Sequence, residues 1–355
     1  MINEANYSQQ NIERIGKYFM VNECNIDEKI IKKHLYCLGL LESFSKIGMN
    51  YLLIGNMAVY LMTDNNLYLP DNLEIAVNRQ DFLDDYLSSA NSIFTAYEKK
   101  IIEENENYLL YEYSFQDNDK KIISIYLSIK LEDHLTNDVI SVAINKPFLI
   151  QEERIYRSKV PYYEALFAQA LFCFSPNELE SANFTNDPYS LYLVKKLIDA
   201  SQLYPYLKRF DIVIDCYEEY FERAHSINNE LKLEYFIYDA YNSLINFYCK
   251  GTYRPEYFHL LKKGINEIQK LKLNEIVSIE NIFQLAAYPL LACACIYQKT
   301  DCLLIKIKNH KPMNFFNYTK INNIKKYNKK AFNIVCQAIE IFDRLDLIEK
   351  INNKK

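Results

Sequence analysis

Glycine is scarce: the 355-residue chain has six, and none falls between Gly55 and Gly251. Walker A loops, GxGxxG dinucleotide turns and GxSxG nucleophile elbows all depend on glycine for close backbone approach or positive φ, so these three classes are excluded. Histidine is also sparse. The five (His34, His134, His225, His259, His310) show neither HxxxH nor HxH spacing and read as ordinary surface or core residues. No apolar run reaches the roughly 18 residues that a membrane span needs, and residues 1–15 lack the basic start and apolar stretch of a secretory signal. The nine cysteines are odd in number and scattered, with no CxxC pair, which implies reduced thiols and a cytoplasmic setting. Export by a specialised secretion system would leave none of these marks. Cys293 and Cys295 point to different faces of one helix and read as core thiols rather than a metal pair.

What is present is ordinary globular text, 50% hydrophobic and 25% charged, and long enough for two domains. Apolar positions Ile30, Ile31, Leu35, Leu38, Leu41, Phe44 and Ile47 recur at helical spacing and predict a helix over residues 27–47 that ends at Gly48. A strand at Tyr51–Ile54 stops at Gly55, and a short helix follows to Met62. Strands are expected at Leu73–Val77, Tyr108–Phe115, Lys121–Ile129, Val139–Ile144 and Ile155–Val160, with a helix at Asp81–Phe94. From Tyr162 onward the pattern is helical: Tyr162–Phe174, Ser190–Ser201, Tyr204–Ala224, Leu231–Phe247, Glu256–Lys270, Ile279–Tyr297 and Lys329–Ile348. The fold class expected is α+β, with a mixed sheet and N-terminal helices over residues 1–160 and a helical bundle over 161–355.

Charge is uneven along the chain. Asp71–Asp138 holds 15 acidic and six basic residues, whereas Cys302–Ile339 holds eight lysines and no acid. There Lys306, Lys308, Lys311, Lys320, Lys325, Lys326, Lys329 and Lys330 interleave with Phe315, Phe316, Tyr318 and Tyr327, a composition suited to phosphate contact and base stacking. Lys325, Lys326, Lys329 and Lys330 are the candidate RNA contacts; a solvated lysine-rich loop is the plainer alternative. Nothing marks DNA as a partner.

Several segments, in order, resemble the AbiEii-type family of nucleotidyltransferase toxins. Tyr51-Leu52-Leu53-Ile54-Gly55-Asn56-Met57-Ala58-Val59-Tyr60-Leu61 resembles the family's strand, glycine turn and Ala-x-x-Leu helix. Tyr68-Leu69-Pro70-Asp71-Asn72-Leu73-Glu74 sits where the family has Arg-x-Ser-x-Asp-x-Asp. Val160–Leu171 and Asn186–Tyr192 are similar to two later helical motifs. The resemblance covers roughly residues 45–200 and implies a nucleotidyltransferase-like mixed sheet with flanking helices. It also implies a toxin–antitoxin setting with a partner protein or RNA, and transfer of a nucleoside monophosphate from a triphosphate onto RNA, tRNA included, or a protein hydroxyl, with Mg²⁺.

Carried over position by position, Glu74 becomes a catalytic residue and metal ligand with Asn72 at the other acid position. Gly55, Asn56, Gln169, Asp187 and Tyr189 become nucleotide contacts. The match departs at the chemistry. The two acids read Asn72 and Glu74, the third is missing from Ile122–Leu127, where Ser124 stands in its place, and the lysine falls near Gln169 or Ala170. Divalent ions need several hard oxygens to offset dehydration, so a pseudo-enzyme that retains a nucleotide or RNA pocket is expected over an active transferase. Glu74 also fits an exposed strand-edge carboxylate, and Gly55 a plain strand–helix turn. A helical-repeat scaffold is the third alternative, distinguished by whether Gly55 and Glu74 are adjacent in a mixed sheet.

Overall fold

The computed structural model describes residues 2, 4–20, 26–63, 67–79, 98–105, 107–116, 121–136, 138–151, 154–175, 187–227, 232–251, 255–268, 279–312 and 316–343. The expected helix at 81–94 lies outside them. The chain is α+β and divides after Tyr162 into two compact units.

The first unit contains α1 (Gln9–Met20), α2 (Glu28–Lys46), β1 (Leu52–Ile54), α3 (Gly55–Met62), β2 (Asn72–Asn78), β3 (Glu98–Asn105), β4 (Tyr108–Gln116), β5 (Ile122–Glu132), β6 (Val139–Ala143) and β7 (Arg157–Pro161). Five strands form a mixed sheet in the order β1-β2-β5-β4-β3; β2 and β5 run parallel and the other neighbours antiparallel. β6 and β7 make a separate antiparallel pair. Strict alternation decides the two faces of the sheet. Ile123, Ile125, Leu127 and Ile129 of β5 are buried, as are Leu73, Ile75 and Val77 of β2 and Tyr111, Tyr113 and Phe115 of β4. α2 packs on both β2 and β5. Its start is fixed by Asp27, whose carboxylate accepts from the Lys29 amide at 2.8 Å. The opposite face carries Asn72, Glu74, Ser124, Tyr126 and Ser128.

β3 was not expected, because Glu98-Lys99-Lys100-Ile101-Ile102-Glu103-Glu104-Asn105 shows no alternation of apolar and polar residues. Its place explains this: it is an edge strand with a register shift between Ile101 and Glu103, and edges tolerate charge and bulges.

The second unit is helical: α4 (Tyr163–Phe172), α5 (Asp187–Leu203), α6 (Phe210–Ile227), α7 (Leu233–Tyr248), α8 (Pro255–Ile268), α9 (Ile279–Tyr297) and α10 (Lys329–Phe342), with shorter helical turns between. The single helix expected over Tyr204–Ala224 is interrupted. Tyr204–Tyr206 forms a 3₁₀ turn around Pro205, and α6 begins only at Phe210. Glu164 closes the break, accepting from the amides of Lys208 at 2.9 Å and Arg209 at 3.3 Å. Where α8 crosses α5, Gly264 lets the backbones touch. A Cβ there would lie 2.0 Å from the Ser190 carbonyl oxygen and 2.7 Å from Val194 Cγ2.

Backbone cannot yield as a side-chain tip can, so Gly264→Ala must push α5 and α8 apart. The expected loss is about 1–3 kcal/mol, in the range of core overpacking, read as a lower midpoint of chemical denaturation. An unchanged midpoint would contradict the crossing.

Candidate functional site

β1 runs into α3 without a loop, and Gly55 makes the turn with φ +67°, a backbone conformation that glycine adopts freely. Ile54, at the N-cap, has no side-chain oxygen to offer the first turn of α3. Glu74 comes from the neighbouring strand instead. Ile54 is registered across from Glu74, and a Cβ added to Gly55 would lie 2.4 Å from Glu74 Cδ and 2.6 Å from both carboxylate oxygens. A negative charge therefore sits at the N-terminal end of α3, which the helix dipole favours by about 0.3–1 kcal/mol. Gly55 and Glu74 are adjacent in a mixed sheet, and the helical-repeat alternative falls.

The sheet register defines what surrounds Glu74. On β5, Ser128 stands beside Glu74 and Tyr126 beside Asn72; on β4, Glu112 stands beside Tyr126. Ser124, expected at the third acid position, is displaced by one alternation and pairs instead with Ser114, Oγ to Oγ at 3.0 Å. The parallel offset of β2 and β5, invisible in sequence, sets this displacement. Ser128 Oγ is hydrogen-bonded to Tyr108 Oη at 3.1 Å. Burial, and then the Glu112 carboxylate bonded to it, hold the Tyr126 phenol above its usual range.

Two amide oxygens on residues close to this contact in sequence have no hydrogen-bond partner among the described residues. Asn56, next after Gly55 and only 3% exposed, and Asn72, two residues before Glu74 on the same strand face, each have a buried Oδ1 without a hydrogen-bond partner among the described residues. Such atoms await a donor or a cation. A two-metal centre needs more. Glu74 contributes one carboxylate, the hydroxyls of Ser124 and Ser128 bond to other hydroxyls, and Glu112 is two strands from β2, about 10 Å at ordinary strand spacing. Among the described residues no group of three or more histidine, cysteine, aspartate or glutamate side chains comes together as a metal site. These residues do not fit a pair of divalent ions.

The remaining candidates belong to the second unit. Gln169 is half-buried on α4, where its carbonyl accepts from Cys173 Sγ at 3.3 Å. Asp187 and Tyr189 lie in the first turn of α5, and their side chains are outside the described residues. Of the four lysines, Lys325 is turned inward: its Nζ donates to the His310 carbonyl at 3.2 Å and lies 5.2 Å from the Phe332 ring centre. Lys326, Lys329 and Lys330 are exposed. Asn56 is among the nucleotide contacts that the resemblance implies, whereas Ser128 and Tyr126 are not, because their places beside Glu74 and Asn72 depend on the strand register.

No protein-family model matches this chain, and no curated protein matches it. Solved structures bear a distant likeness, two of them from Helicobacter pylori. JHP933 from Helicobacter pylori is 13% identical over 74% of this chain and 97% of its own, with a TM-score of 0.31. A candidate nucleotidyltransferase from H. pylori is 14% identical over 73% of this chain and 98% of its own, with a TM-score of 0.30.

The register makes a discriminating prediction. Asn72→Asp with Ser128→Asp puts three carboxylates in neighbouring positions on one face, and Mn²⁺ should bind on the order of tenfold tighter, about 1.4 kcal/mol. Asn72→Asp with Ser124→Asp should gain less. Calorimetric titration that ranks the two doubles the other way would refute the register.

Proposed function

We propose that this chain is a nucleotidyltransferase-type scaffold that binds nucleotide or RNA and does not transfer nucleotides, with residues 1–160 and 161–355 as its two domains. One observation carries the reading: the carboxylate on the Gly55 turn, Glu74, has an amide and two hydroxyl-bearing residues as its neighbours, Asn72, Ser128 and Tyr126, where a transferase would gather acids. One charge in place of three leaves too little negative potential to hold the ions that draw phosphoryl oxygens and an attacking hydroxyl together. The retained parts are those that position rather than react. The glycine turn, the carboxylate at the start of α3 and the two amide oxygens of Asn56 and Asn72 supply acceptors for hydrogen-bond donors such as ribose hydroxyls or base amines. Resemblance to the AbiEii-type toxins supplies the expectation of RNA, and of a protein partner that such a scaffold would regulate.

A second reading keeps activity. The Gly55–Glu74 contact and the orphan oxygens of Asn56 and Asn72 support it. In that case Mg²⁺ and a nucleoside triphosphate are the cofactors, Glu74 and Asn72 would hold the ion, and the ion would supply charge neutralisation at the phosphates.

The two readings part in one assay. The full chain is incubated with each labelled triphosphate, bulk tRNA and Mg²⁺ or Mn²⁺, beside Glu74→Ala. The expected outcome is no incorporation in either protein. Label that enters RNA or protein with wild type and disappears with Glu74→Ala would establish the transferase.

A further inference from the structure

The acid-free run Cys302–Ile339 of the second unit folds into a corner. Residues Phe316–Asn323 form a 3₁₀ turn, Ile324–Tyr327 a single helical turn, and α10 begins at Lys329. Asn328 makes the break, with φ −146° and ψ 93°, and fixes it with both ends of its side chain. Oδ1 accepts from the Ala331 amide at 2.8 Å, and Nδ2 donates to Gln284 Oε1 at 2.9 Å. Buried Ile324 and Phe332 anchor the two arms, and Lys325 ties the corner to the His310 carbonyl.

At the apex of this anchored corner Tyr327 is 72% exposed, and among the described residues no other ring lies against it. A phenol ring in water leaves most of its apolar surface unburied. Lys326, Lys329 and Lys330 surround it in sequence, all exposed. Lys329 and Lys330 occupy the first turn of α10, where the helix dipole disfavours cations and stability alone would place acids. Acids close in sequence are already engaged: Glu340 pairs with His310 at 3.1 Å, and Asp301 caps the Leu303 amide at 2.8 Å. Among the described residues the corner thus combines exposed lysines, of which Lys330 also lies 5.6 Å from the Tyr288 ring centre, with an aromatic face that no other ring covers, held without the ordering cost that a mobile loop would incur on binding.

We infer that Tyr327 is a base-stacking residue for single-stranded RNA, with Lys326, Lys329 and Lys330 as its phosphate contacts. This deepens the RNA arm of the proposed function and rests on it. A single strand is the ligand because an unpaired base offers the ring a free face, whereas duplex bases are already stacked on one another. Of the lysines singled out by sequence, Lys325 is thereby reassigned to holding the corner.

The test separates stacking from charge. Fluorescence anisotropy of the full chain is recorded with a labelled 12-nucleotide oligouridylate, a blunt RNA duplex and the equivalent DNA strand, across a range of KCl concentrations. Tyr327→Ala should weaken the single strand about tenfold at every salt concentration, with Tyr327→Phe close to wild type and duplex binding unmoved. Lys326→Gln with Lys329→Gln should instead flatten the salt dependence by about 1.4 in the log–log slope, about 0.7 per lysine. If the lysine double weakens binding and Tyr327→Ala does not, the stacking assignment fails while RNA binding stands. If no RNA binds at the lowest salt, both fail. Equal affinity for the DNA strand would overturn RNA as the ligand, and tighter binding to phosphatidylserine vesicles than to the oligonucleotide would replace it with a membrane surface.

Discussion

The carboxylate of Glu74 seated on the bare Cα of Gly55 is the contact on which the first unit turns. It fixes three things together. Only a residue without Cβ can stand at position 55, for space and for its φ of +67°. β1 can pass directly into α3, because a charge from the next strand serves a helix start that Ile54 cannot cap. And β2 must pair with β1 in the register that brings Glu74 opposite Ile54, which puts Asn72 and Glu74 on the face of the sheet opposite Leu73, Ile75 and Val77. A one-residue slip would exchange those faces and bury the carboxylate in the core.

The same contact defines the chemistry. A carboxylate held at a helix start is stabilised by the dipole and serves structure without any metal. Its row across the sheet continues into Ser128, and the adjacent row reads Asn72, Tyr126 and Glu112, with hydroxyl pairs closing on themselves at Ser114–Ser124 and Tyr108–Ser128. The face offers hydrogen bonds rather than concentrated negative charge. On the proposed function, such a face serves a polar ligand rather than a pair of divalent ions.

Periodicity makes the architecture legible in the sequence. The β5 alternation Ile123, Ile125, Leu127, Ile129 and the helical spacing of Ile31, Leu35, Leu38 and Leu41 report burial directly, because one face of each element must leave water. The Gly55 turn was equally readable, since glycine between a strand and a helix is a local feature; its adjacency to Glu74 is decided by the pairing of β1 with β2. Three other things were not. β3 carries charge because it is an edge, and an edge strand needs no apolar alternation. The break at Pro205 depends on Glu164, forty residues earlier in the chain. And Ser128 rather than Ser124 neighbours Glu74 because the offset of two parallel strands is set by packing on α2, which no local pattern encodes. Charge showed the same division: the lysine run is plain in sequence, but which lysine turns inward, Lys325, follows from where His310 lies.

On the proposed function, Glu74 and its neighbours on the sheet lack the charge to hold a pair of divalent ions. Electron paramagnetic resonance of Mn²⁺ titrated into the full wild-type chain tests it most directly, since bound and free ions are counted without any need to know the substrate. The account predicts no site tighter than the millimolar range and no difference between wild type and Glu74→Gln. Two ions per chain bound at micromolar concentration, and lost in Glu74→Gln, would contradict it.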